Sequence, residues 1–153
     1  MKHFLSTVAA AAGLLALTGC SSSLSTVNLQ GSSSVTSASV QVDVVGLNAN
    51  NQALKITPVR KYWEGGAQTR GSAKTFRFGP SSAQTQTLAS SDPIWAKWKG
   101  EGVKEIMVIA DLPGVFADAP GDADARRKIL PLASKTTSVT IVVDKAGLVR
   151  STP

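Results

Sequence analysis

Histidine occurs once, at His3, and cysteine once, at Cys20. A lone cysteine excludes an internal disulfide framework, and these two residues cannot form an ordinary His/Cys zinc site. Ser-His-Asp and Cys-His nucleophilic systems would need His3, which lies in a stretch expected to be removed. No Ser-x-x-Lys, Gly-x-Ser-x-Gly or phosphate-loop pattern is present, so no catalytic residue, cofactor or metal is expected. Charged residues make up 17% of the 153 positions, below the roughly 25% usual for soluble domains. The apolar fraction of 42% is nonetheless too high for a disordered chain, and the length suits one folded domain.

The chain opens with Lys2, and Phe4 to Leu17 then run apolar or small for fourteen positions without a charge. This reads as the hydrophobic region of an export signal, too short for a membrane span of about 20 residues. It ends in Leu17-Thr18-Gly19-Cys20, a branched apolar residue and two small residues before a cysteine. The segment resembles the lipobox of bacterial lipoprotein precursors. The resemblance implies cleavage between Gly19 and Cys20 and lipidation of Cys20, which becomes an anchor once two or more acyl chains are attached. Ser21 follows where an aspartate would, in that class, mark inner-membrane retention. The implied location is therefore the outer membrane, on its periplasmic face.

The organisation expected is a signal peptide over 1–19, a lipidated cysteine with a flexible tether over 20–39, and a domain over 40–153. Nine of the nineteen residues from Ser21 to Ser39 are serine, a composition poor in the apolar surface that offsets ordering entropy. Thr26 to Leu29 as a first edge strand is the alternative. In the domain, Val40, Val42 and Val44 alternate with polar residues, as do Val139, Ile141 and Val143. Ile106–Ala110 is continuously apolar, as in a central strand. Asp144-Lys145-Ala146-Gly147 reads as a turn into Leu148–Arg150, and weaker strands are expected at Pro58–Trp63, Lys74–Phe78, Gln84–Leu88 and Lys128–Leu132. The fold class is mainly β: a two-sheet antiparallel sandwich, transthyretin-like or immunoglobulin-like, with one short helix starting at Asp92-Pro93. Burial is expected of Val42, Val44, Ile106, Val108, Val139 and Ile141.

Charge is segregated. Lys55–Lys104 holds nine basic and three acidic residues, Glu105–Asp124 five acidic and no basic, and Arg126–Arg150 six basic and one acidic. Export, and the lack of any stacking pattern of aromatics among the basic residues, argue against a nucleic-acid partner. The acidic segment contains Asp111 to Ala125, a long loop with two Pro-Gly pairs. Long loops in compact domains are often functional. Val115, Phe116, Asp118 and Asp122 are its candidate partner-binding residues, with Phe116 either an apolar anchor ringed by acid or a plug for the end of the sandwich. Asp111, Asp118, Asp122 and Asp124 leave calcium open, although the order of a calcium loop is missing. Trp63, Trp95 and Trp98 are candidate residues for carbohydrate or cell-wall polymer, the alternative being that Trp95 and Trp98 pin the helix to a sheet.

A lipobox, a tether and a small, mainly β domain together resemble the outer-membrane lipoprotein family of type VI secretion systems. The matching stretches are Val40-Gln41-Val42, Lys61-Tyr62-Trp63, Thr87-Leu88 and Val108-Ile109-Ala110. The resemblance implies a two-sheet sandwich with a small added helix and a role in docking another envelope protein. Asp111-Leu112-Pro113-Gly114 departs from the family pattern, and so does the short loop Asn48 to Ala53, the region that contacts the partner in that family. The reading is thus a membrane-anchored docking module without enzymatic activity; its oligomeric state is left open, and carbohydrate binding is the alternative.

Overall fold

The computed structural model describes residues 22–66, 70–71 and 73–151. The signal segment, Gly19 and Cys20 lie outside them. Among the described residues eight strands form two four-stranded sheets: β1 (Thr26–Gly31), β2 (Val40–Leu47), β3 (Lys74–Phe78), β4 (Thr85–Leu88), β5 (Glu105–Asp111), β6 (Arg127–Pro131), β7 (Ser138–Asp144) and β8 (Gly147–Ser151). One sheet runs β4-β1-β7-β8 and the other β3-β2-β5-β6. Every pair is antiparallel except β1 with β7, which run parallel from Thr26↔Ser138 to Gly31↔Val143. The expected β-sandwich is therefore present, with one parallel pair.

Period-two alternation places the core. Val40, Val42 and Val44 of β2 and Ile106, Val108 and Ala110 of β5 meet Val27, Leu29, Val139, Ile141 and Val143 of the other sheet. All six residues expected inside are buried. The intervening residues of β2 and β5 are buried as well: Val45, Leu47, Met107 and Ile109 pack against Val59 and Tyr62 on the outer face of their sheet. Ile106–Ala110 reads as continuously apolar because the strand is covered on both sides.

The cover is α2 (Val59–Glu64), which with α1 (Ser33–Thr36) and α3 (Ile94–Gly100) is one of the short α-helices among the described residues. Among the described residues no helix is long and apolar enough to cross a membrane. The helix expected after Asp92-Pro93 is α3, and the Asp92 carboxylate accepts the Ile94 N–H at 3.0 Å. Trp98 fills the space beside β2: a Cβ on Gly46 would lie 2.6 Å from its ring.

Two expectations fail. Pro58–Trp63 is not a strand; Val59 and Tyr62, three apart, face the sheet together, and Pro58 precedes the first helical turn. The serine-rich segment is not a free tether over Ser22–Ser39. It contains β1, which sits inside its sheet between β4 and β7 rather than at an edge. Val27 and Leu29 are fully buried, so two apolar side chains and a strand ladder on each side offset the ordering cost. Even Ser22 is held, donating to the Ser134 carbonyl at 2.9 Å.

Candidate docking site

β5 ends at Asp111, where the sequence carries Pro113-Gly114, and the chain does not return to the sheet until β6 at Arg127. Gly114 takes φ 126°, a conformation suited to glycine. The loop between is organised by the two arginines that follow it. Arg126 donates to Asp124 from Nε at 3.0 Å and from Nη2 at 2.8 Å, and to Asp118 at 2.7 Å. Its guanidinium also lies 5.1 Å from the Phe116 ring centroid.

Asp124 is fully buried. Burial pushes its carboxyl up, but the hydrogen bonds and charge of Arg126 outweigh that and hold it below the usual carboxylate range. Asp122 turns back to accept the Ile129 N–H at 2.6 Å.

Arg127 is a fully buried cation with a different set of partners. It donates to the backbone carbonyls of Gly121, Leu54, Thr57 and Ala119 at 2.6–3.1 Å. One side chain thus ties the acidic loop to the segment leading into α2. Desolvation pulls its pKa down, the expected direction for a cation surrounded by dipoles instead of water.

Beside the loop is an open cleft of about 400 Å³, lined by Val59, Trp63, Asp111, Leu112, Gly114 and Arg126 among others. Its α2 wall rests on Asp43. This fully buried carboxylate accepts from Tyr62 Oη at 2.8 Å, Arg70 Nε at 2.7 Å and Thr75 Oγ1 at 2.6 Å. Burial, then the charge of Asp43, pushes the Tyr62 phenol up, so Tyr62 is a neutral donor. Arg70 in turn lies 5.0 Å from the Trp63 ring centroid and fixes that wall.

The candidate residues divide as follows. Val115 is wholly exposed, 103% of its reference area, in the first part of the loop. Phe116 is half-buried and packs against the main core, so it closes the sandwich end more than it projects. Asp118 is half-exposed and Asp122 exposed, both engaged as above.

Trp63 lines the loop cleft, whereas Trp95 lines a different groove and Trp98 has no exposed surface. Trp95 meets Trp98 edge to face at 5.2 Å, and its Nε1 donates to the Ala89 carbonyl. A platform of three rings is not formed, because a buried ring offers no face to a sugar. Among the described residues no three His, Cys, Asp or Glu side chains come together as metal ligands. Asp43 and Arg127 are central here and belong to no sequence motif; of the two arginines that could pair with Asp124, Arg126 does so and Arg127 turns to backbone carbonyls. Their only sequence signal is a charged residue in phase with buried neighbours, as Asp43 is with Val45 and Leu47.

No family model matches the sequence, and no curated protein does. Solved structures do match. Serratia marcescens Lip, a membrane-bound component of the type VI secretion system, superimposes with a TM-score of 0.53 at 14% identity, over 83% of this chain and 96% of that one. The fold is similar to that of type VI secretion lipoproteins. TssJ1 of Pseudomonas aeruginosa, a lipoprotein of that system, gives 0.53 at 11% identity over 84% and 95% of the two chains. A chain of a type VI membrane complex gives 0.53 at 14% identity over 86% and 99%. The likeness takes in nearly the whole length of these three chains, so it concerns the complete fold and not one sheet.

Proposed function

We propose that this chain is a lipid-anchored component of the bacterial envelope, held at the periplasmic face of the outer membrane, that docks another envelope protein in a type VI secretion-like assembly and catalyses no reaction. The carrying observation is the likeness of fold to membrane-bound type VI components over 95–99% of their chains. The segment Leu17–Cys20 supports the anchor. The loop 111–125 supports docking: it presents Val115 bare, carries acidic groups, and is braced by hydrogen bonds from Arg126 and Arg127. An exposed apolar side chain on a hydrogen-bonded loop loses less entropy when it is covered than one on a loose segment.

The test is genetic. In the native host, deletion of the gene should abolish type VI secretion. Wild type should restore it, Cys20→Ala should not, and Val115→Asp should restore it poorly while accumulating to normal levels. Unaffected secretion in the deletion strain overturns the type VI assignment. Full activity of Val115→Asp overturns the docking role of the loop.

A further inference from the structure

The order of the serine-rich segment changes where the domain stands relative to its anchor. Ser22 donates to the Ser134 carbonyl at 2.9 Å and accepts the Ser134 N–H at 3.3 Å. Ser23 bridges Ala133, and the Leu24 N–H donates to Leu132 at 2.8 Å. Chain held by the domain therefore begins two residues after Cys20. Two Cα–Cα steps span at most about 7 Å, against the roughly 25 Å of a nineteen-residue flexible tether. A lipid on Cys20 leaves no room for the domain to hang away from the bilayer.

The surface next to this attachment point is suited to such contact. Ser22 and Ser23 line an open groove of about 610 Å³, together with Trp95, Lys99, Lys104 and Leu132. Among the described residues no carboxylate lines it. Lys99 and Lys104 are exposed, and among the described residues neither has an ion-pair partner. The nearby Glu101 faces Lys97 at 3.9 Å. Trp95 is half-buried with its N–H already bonded, leaving an apolar ring edge beside two free cations. Tryptophan and lysine side by side match the headgroup level of a bilayer, where an aromatic ring is wetted on one side and cations meet phosphate.

We propose that this groove is a membrane-docking face, with Lys99 and Lys104 on the phosphates of an anionic phospholipid surface and Trp95 in the headgroup layer. The inference rests on the reading of Cys20 as the lipidated residue. It goes beyond that reading by fixing which face of the domain meets the membrane, and so which way the loop 111–125 is presented.

The acylated mature chain, reconstituted into vesicles of phosphatidylcholine with 30% phosphatidylglycerol, separates the two claims. Intact mass and flotation report the anchor. Quenching of tryptophan emission by brominated phosphatidylglycerol reports the docking. The expected result is quenching in the wild type that disappears in Trp95→Phe and falls at least by half in Lys99→Gln/Lys104→Gln. The non-acylated Cys20→Ala mature chain should bind the same vesicles about 25-fold more weakly once both lysines are neutralised, near fivefold for each charge at an anionic surface. A chain that floats but is not quenched, or is quenched equally in all variants, overturns the docking face and leaves the anchor standing. A chain without acyl mass on Cys20 overturns both.

Discussion

Replacing Asp43 with alanine removes the acceptor shared by Tyr62, Arg70 and Thr75 in the layer beneath α2. The three partners respond differently. The Arg70 side chain is 26% exposed and can turn to water, so little of the several kcal/mol typical of a broken buried ion pair is lost there. Tyr62 is fully buried and its hydroxyl is left without an acceptor, which costs about 1–3 kcal/mol. With the lost hydrogen bond to Thr75, a total near 3 kcal/mol is expected. At about 4 °C per kcal/mol for a domain of this size, the melting temperature should fall by roughly 10 °C.

The assay is denaturant unfolding of Asp43→Ala, Tyr62→Phe and the double variant. Tyr62→Phe alone should cost about 1 kcal/mol, but in the Asp43→Ala background it should be neutral or stabilising, because it removes the orphaned hydroxyl. Additivity of the two changes, or a loss below about 1 kcal/mol for Asp43→Ala, refutes the account of this cluster.

Gly46→Ala should destabilise by about 2 kcal/mol, since its Cβ would lie 2.6 Å from the fully buried Trp98 ring; an unchanged thermal midpoint refutes the close packing of α3 on β2. Asp124, whose carboxyl is held below its ordinary value in the folded protein, contributes stability that is complete above the unfolded pKa of about 3.9 and is lost as pH falls through the lower folded value. Asp124→Asn should therefore lower stability at neutral pH and flatten the decline in acid, measured by urea unfolding from pH 7 to pH 2.5; an acid slope equal to that of the wild type refutes the Asp124–Arg126 pairing as its source.

Most strands are legible because each exposes one face to the core. β2 and β7 fall where alternation places them, β8 follows the turn at Asp144–Gly147, β3 matches a weaker candidate, and the helix expected at Asp92-Pro93 begins at Ile94. β1 is half legible: Val27 and Leu29 carry the period that makes Thr26–Leu29 an alternative strand, but a two-residue signal amid serines does not show that it lies inside the sheet with a ladder on each side. Pro58–Trp63 is ambiguous over six residues, since Val59, Lys61 and Trp63 alternate while Val59 and Tyr62 share a helical face. Only the apolar outer face of β2 and β5, needing cover, decides for the helix. The loop site is half legible. Its acidic, Pro-Gly character is visible in sequence, whereas the buried Arg127 is not, because its partners are four carbonyls scattered over some seventy residues of chain.

The placement of β1 also sets how the molecule carries tension. An anchor on the N-terminal side of β1 and a partner gripping the loop before β6 would pull on different sheets of one sandwich. Any component of that pull along β1 loads its hydrogen bonds to β4 and β7 in shear, many at once, instead of peeling them singly from a free edge. Burying Val27 and Leu29 between the sheets adds a plug that must be extracted together with both ladders. A strand at the rim would be the first part to give way under load; in its interior position it is a mechanical clamp, and atomic-force unfolding from that end should show one high rupture peak.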